Sequence, residues 1–116
     1  MKRLFILTVL LLTTTILFAS KVEGKWTATI DTDNGPFTFT AEYVVNDGKI
    51  TGTLSSDMGS VEIEEGTVKG DEFEYSFYID YNKMTHKGKL VEGKLKIKSI
   101  TDNGNMEFEM TRVKKE

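Results

Sequence analysis

"VEGKWTATIDTDNG" (residues 22–35) holds the chain's only tryptophan, and much of it returns as "VEGKLKIKSITDNG" (residues 91–104). Two more valine–glycine stretches lie between the copies: "VNDGKI" from Val45 and "VKGDEF" from Val68. Val22, Val45, Val68 and Val91 stand 23 residues apart, so four units of 23 residues run from 22 to 113. A fixed period of this length marks a repeated supersecondary unit.

Each unit has a glycine turn, an alternating run, a second turn and a second alternating run. Unit one reads "GKWTATID", "TDNG", "PFTFTAEYV"; unit two reads "GKITGTLS", "SDMG", "SVEIEEGT". Unit three reads "GDEFEYSFYID", "YNK", "MTHKGKL"; unit four reads "GKLKIKSI", "TDNG", "NMEFEMTRV". Asn-Gly and Asp-Gly supply the backbone dihedrals that tight hairpin turns need. Alternation with β-branched and aromatic residues is the strand signal. Pro36, the only proline, falls at a strand start, where a missing N–H does least harm. The pattern predicts an all-β domain of four hairpins, that is, eight antiparallel strands in sequence order. Hairpins that share one apolar face bury it and lose their edges by closing into an up-and-down barrel.

Parity assigns the two faces. Trp26, Ala28 and Ile30 point inward on the first strand, and Phe37, Phe39, Ala41 and Tyr43 on the second. Ile50, Gly52 and Leu54 follow, then Val61 and Ile63. After "EEG" the phase shifts by one residue, so a bulge is expected at Gly66. Phe73, Tyr75, Phe77 and Ile79 face Met84, His86, Gly88 and Leu90 across the third hairpin. Leu95, Ile97 and Ser99 face Met106, Phe108, Met110 and Arg112 across the fourth. The other parity is Thr, Glu and Lys, a solvated outer wall, and the Lys-rich stretch 83–98 belongs to it.

The chain opens with "MKRLFILTVLLLTTTILFAS": two cations, an apolar run and a small-residue exit. That is the layout of a secretory signal peptide over residues 1–20, leaving residues 21–116 as the domain. The chain has no cysteine, which excludes a lipoprotein anchor, disulfides and thiol chemistry. The expected location is therefore the periplasm or the exterior, with no stable membrane insertion after cleavage. Loss of Lys2 and Arg3 takes the formal charge from −3 to −5. An acidic domain without clustered cations is no nucleic-acid binder.

"EGKW" at residues 23–26, with Arg112 on the last strand, resembles the lipocalin-like (calycin) barrels. The resemblance implies that Gly24, Trp26 and Arg112 close one end, the guanidinium lying over the indole. "KITGTLSSDMG" (49–59) is similar to a turn of avidin-type barrels, which share Gly-x-Trp. A lone tryptophan does not fit a biotin pocket. Nearly the whole domain resembles small exported bacterial β-barrel domains.

The inward polar groups, beside adaptable methionines and small residues, fit a small-molecule site. The expected ligand contacts are Tyr43, Tyr75, Phe77, Met84, His86, Phe108 and Met110. Parity leaves open whether the interior is hollow or filled. "DTDNG" (31–35) misplaces the glycine of a calcium loop and reads as a hairpin turn. His86, the only histidine, has no carboxylate on its face to complete a metal site. No nucleophile–base pair or carboxylate pair falls on the inner parity. The expectation is an exported, monomeric, non-catalytic barrel for a small apolar ligand, without cofactor or metal. The alternative is a protein-interaction module, such as an exported protease inhibitor or accessory domain.

Overall fold

A computed structural model describes residues 21–113; the signal-peptide expectation for residues 1–20 lies outside them, as do residues 114–116. Nine strands and no helix make up the described chain: β1 (Gly24–Thr32), β2 (Gly35–Asn46), β3 (Lys49–Ser56), β4 (Gly59–Glu62), β5 (Gly66–Lys69), β6 (Glu72–Ile79), β7 (Asn82–Val91), β8 (Lys94–Thr101) and β9 (Gly104–Arg112). Every pairing is antiparallel. Sequential neighbours pair from β1 to β3 and from β5 to β9, β3 pairs with both β4 and β5, and β9 returns to β1. The sheet is thus an eight-stranded closed barrel with its fourth strand split in two.

The split lies at the phase shift after "EEG". β3 meets β4 in the register Thr53↔Glu62 but meets β5 in the register Ile50↔Gly66, a slip of one residue. One extra residue kinks the strand and re-aims it, as a bulge does. Ile63 N–H still donates to Gly52 O (3.1 Å), while Glu64 N–H turns to the other neighbour and donates to Ser76 O (2.8 Å). Above that bond no ladder joins β4 to β6.

Alternate turns belong to opposite ends of the barrel. One end carries Asp47–Gly48, Gly70–Asp71 and Glu92–Gly93; the other carries Asp33–Asn34, Asp57–Met58, Asp80–Tyr81 and Asp102–Asn103. The twin "TDNG" turns are built alike. Thr32 and Thr101 each donate a side-chain hydrogen bond to the glycine carbonyl (2.6 and 3.1 Å), and each accepts one from the asparagine N–H (3.2 Å). The third hairpin differs from the expected turn "YNK". Ile79 pairs with Asn82, which leaves Asp80 and Tyr81 as the turn, both at positive φ (50° and 68°). This two-residue turn sets Phe77 opposite Met84, both on the inner parity.

The inner parity is the core. Trp26, Ala41, Tyr43, Ile50, Phe73, Tyr75, Leu95, Ile97 and Met110 are all buried. Three residues assigned inward, Ile79, Met106 and Arg112, are instead exposed. They keep the inner parity but lie at strand tips, where no layer covers them. Outside, Glu72 and Glu74 of β6 face Lys89 and Lys87 of β7, which face Lys96 and Lys98 of β8, which face Glu109 and Glu107 of β9. A double lysine row is thus flanked by glutamates, which offsets its repulsion.

Candidate functional site

The barrel interior divides into three levels. The first is the sealed end. Trp26 pairs with Arg112 across the β1–β9 seam, and the guanidinium carbon lies 4.2 Å from the indole centroid. The indole N–H donates to Val22 O (2.9 Å), and Arg112 donates to Glu23 O (2.9 Å) and Lys21 O. Gly24, at φ +129°, makes room for this: a Cβ there would stand 2.5 Å from Arg112 Nη1. Gly24, Trp26 and Arg112 are thus brought together at this end of the barrel. The seam is short, since β1 and β9 pair only at Trp26↔Arg112 and Thr27↔Thr111, with Val113 N–H donating to Lys25 O.

The second level is a polar thread through the buried middle. Tyr43 and Tyr75 share a 2.5 Å hydrogen bond, and Tyr75 Oη lies 2.9 Å from His86 Nδ1. Tyr43 Oη also reaches Met110 Sδ at 3.9 Å. Burial raises both phenols, and in Tyr75 the neighbouring Tyr43 raises it further, so both remain protonated. Burial pushes the imidazole down to about 4, so His86 is neutral at ordinary pH. The Phe73 ring lies over Gly88, directly opposite it on β7, where a Cβ would meet the ring at 2.1 Å.

The third level is a cavity of about 450 Å³ toward the end that carries the four aspartate turns. Ile30, Phe37, Phe39, Leu54, Val61 and Phe77 form much of its wall, with Met84, Met106 and Phe108. His86 and Ser99, opposite one another on β7 and β8, also line it. The imidazole is held edge-on by Phe77 (centroids 4.8 Å) and Phe108 (5.7 Å). Every buried side-chain nitrogen or oxygen among the described residues has a hydrogen-bond partner. His86 bonds to Tyr75 through Nδ1, which leaves Nε2 and the neighbouring Ser99 hydroxyl as the polar groups where these two residues line the cavity.

Four of the seven expected ligand contacts, Phe77, Met84, His86 and Phe108, line this cavity. Tyr43, Tyr75 and Met110 do not; they are buried beneath it, holding one another and the imidazole. Their parity is as expected, but their height along the barrel differs. Ile30, Phe37, Phe39, Leu54 and Ser99 had the inner parity without being singled out. The residues nearest the aspartate turns were the signal that would have found them. The His86–Tyr75 pair orients the ring rather than presenting an acid and a base to the same space. No group of three or more His, Asp or Glu among the described residues is arranged to hold a metal.

No protein-family model matches the chain, and no curated protein matches it. Solved structures do. The REP1-NXSQ fatty acid transporter superposes with a TM-score of 0.59 at 12% identity, over 84% of this chain and 100% of that one. The wild-type fluorescent protein UnaG superposes with a TM-score of 0.54 at 13% identity, over 80% and 98%. A mutant of UnaG gives 0.56 at 14% identity, over 82% and 98%. At these identities the likeness is one of fold. The chain has a calycin-type β-barrel fold. Neither neighbour's description is that of an enzyme.

Proposed function

We propose that the chain is a non-catalytic binding barrel that takes a small, mostly apolar molecule into the cavity beneath the aspartate turns. One observation carries this: the space is walled by aromatic and aliphatic side chains, with His86 and Ser99 side by side at its floor. An apolar hollow with few, fixed polar groups is the usual make-up of a small-molecule site, and about 450 Å³ lies within the usual size range. That a fatty acid transporter shares the fold supports the reading. The basic–apolar–small leader supports an exported protein, acting as a monomer in the periplasm or outside the cell.

Mass spectrometry of an organic extract of the purified protein tests it. A stoichiometric apolar molecule is the expected result. An empty extract, with no heat on titrating a panel of apolar alcohols, acids and hydrocarbons, overturns it. A second reading, a protein-interaction module such as an exported protease inhibitor, draws on Tyr81 and Met58. Both are apolar, highly exposed and displayed at hairpin tips, and Tyr81 takes a φ that non-glycine residues seldom adopt. Retention of an exported protein by the wild type but not by Tyr81→Ser would favour it.

A further inference from the structure

The cavity lining has a charge character that narrows the ligand. Its polar members are Ser55, Ser56, Ser60, Asp80, His86 and Ser99, with no lysine or arginine among them. The cation on the inner parity, Arg112, is committed at the far end to Trp26 and two backbone carbonyls. His86 supplies no positive charge either, because burial keeps the imidazole neutral. A carboxylate drawn inside would lose its hydration and meet no counter-charge, at a cost of several kcal/mol. The approach is also unfavourable to anions. The four turns at this end, 32–35, 56–59, 79–82 and 101–104, hold Asp33, Asp57, Asp80 and Asp102 and no lysine or arginine.

What the floor can accept is a hydrogen-bonding group without charge. His86 Nδ1 is tied to Tyr75, so Nε2 is a donor or an acceptor according to the tautomer. The Ser99 hydroxyl, opposite it on the neighbouring strand, rotates to be either. A ligand hydroxyl can be both at once, and so matches this pair in either state. Resting on the proposed binding function, we infer that the cavity selects an uncharged, hydroxyl-bearing apolar molecule, its hydroxyl between His86 and Ser99, and rejects anionic lipids such as fatty acids.

Calorimetric titration with decanol and with decanoate, at a pH where decanoate is ionised, tests this directly. Decanol should bind, and decanoate should bind about tenfold more weakly or worse, the minimum set by an unpaired buried anion. Ser99→Ala should weaken decanol by about fivefold, the share of one neutral hydrogen bond, and leave decanoate unchanged. Met106→Lys places a cation at the cavity wall on a side chain that is already 44% exposed, so folding tolerates it. It should strengthen decanoate several-fold relative to decanol. Decanoate binding as tightly as decanol, or an insensitive Met106→Lys, overturns the selectivity. A carboxylic acid in the organic extract overturns it too, while the binding reading stands. Silence from both titrants together with an empty extract overturns the two together.

Discussion

The two ends of the barrel are made from the same hairpin unit and do opposite things. At the sealed end the first and last strands are zipped, an indole fills the bore, and each of the three turn regions and the chain start carries lysine: Lys25, Lys49, Lys69 and Lys94. At the other end β1 and β9 are unpaired, β4 and β6 have no ladder, and the turns carry aspartate. The same hairpin unit supplies turns to both ends, so the repeat itself does not decide whether an end is shut. The side chain one layer below the turns decides it. Where that layer has Trp26 and Leu95 the side chains are fully buried; where it has Ile30, Phe37 and Met106 the walls stand apart around a hollow.

The largest expected effect tests the seal. Trp26→Ala should cost about 3–5 kcal/mol in urea unfolding, as for other buried aromatics, while the same truncation at half-buried Phe37 should cost well under half of that. Equal losses would dissolve the contrast between the ends. Next comes the middle level. The folded His86 is depressed from its ordinary value of 6.5 to about 4, so its neutral form is favoured by folding. Unfolding then takes up a proton in that window. Stability is complete above pH 6.5 and falls toward pH 4, by about 3 kcal/mol. Denaturation series across that range should show the slope in the wild type and its loss in His86→Phe.

A smaller effect belongs to Arg112. Arg112→Gln, which forfeits the cation over the indole, should lower stability by about 0.5–2 kcal/mol, read from the urea midpoint. The smallest belongs to the rim. Met106→Ala should change stability by about 0.5 kcal/mol or less, because its side chain is largely exposed, and any effect should be on ligand affinity instead. A large loss there would mean that the open end also carries the fold.

Most of the fold was legible because a strand repeats every two residues and this chain repeats that alternation four times. The phase shift before Gly66 gave the bulge, and "GKW" with Arg112 gave the seam. The site was only half legible. Parity reports which side of the sheet a residue faces, not how far along the bore it lies. Tyr43 and Tyr75 are 32 residues apart and meet only because strands two and six cross the same interior. The turn itself misled in the third unit, where Asp80 and Tyr81 take left-handed dihedrals that glycine usually supplies. The absence of lysine from the turns of the open end was present in the sequence, in every second turn.

The Arg112 clasp has one more consequence. By gripping the carbonyls of Lys21 and Glu23, it brings the two ends of the described chain together on one face. A tether joined at Lys21 or Val113 starts from the plugged pole, away from the entrance. Residues 21–113 can therefore be anchored to a bead or a surface from either of these positions and be challenged with ligand from the other side.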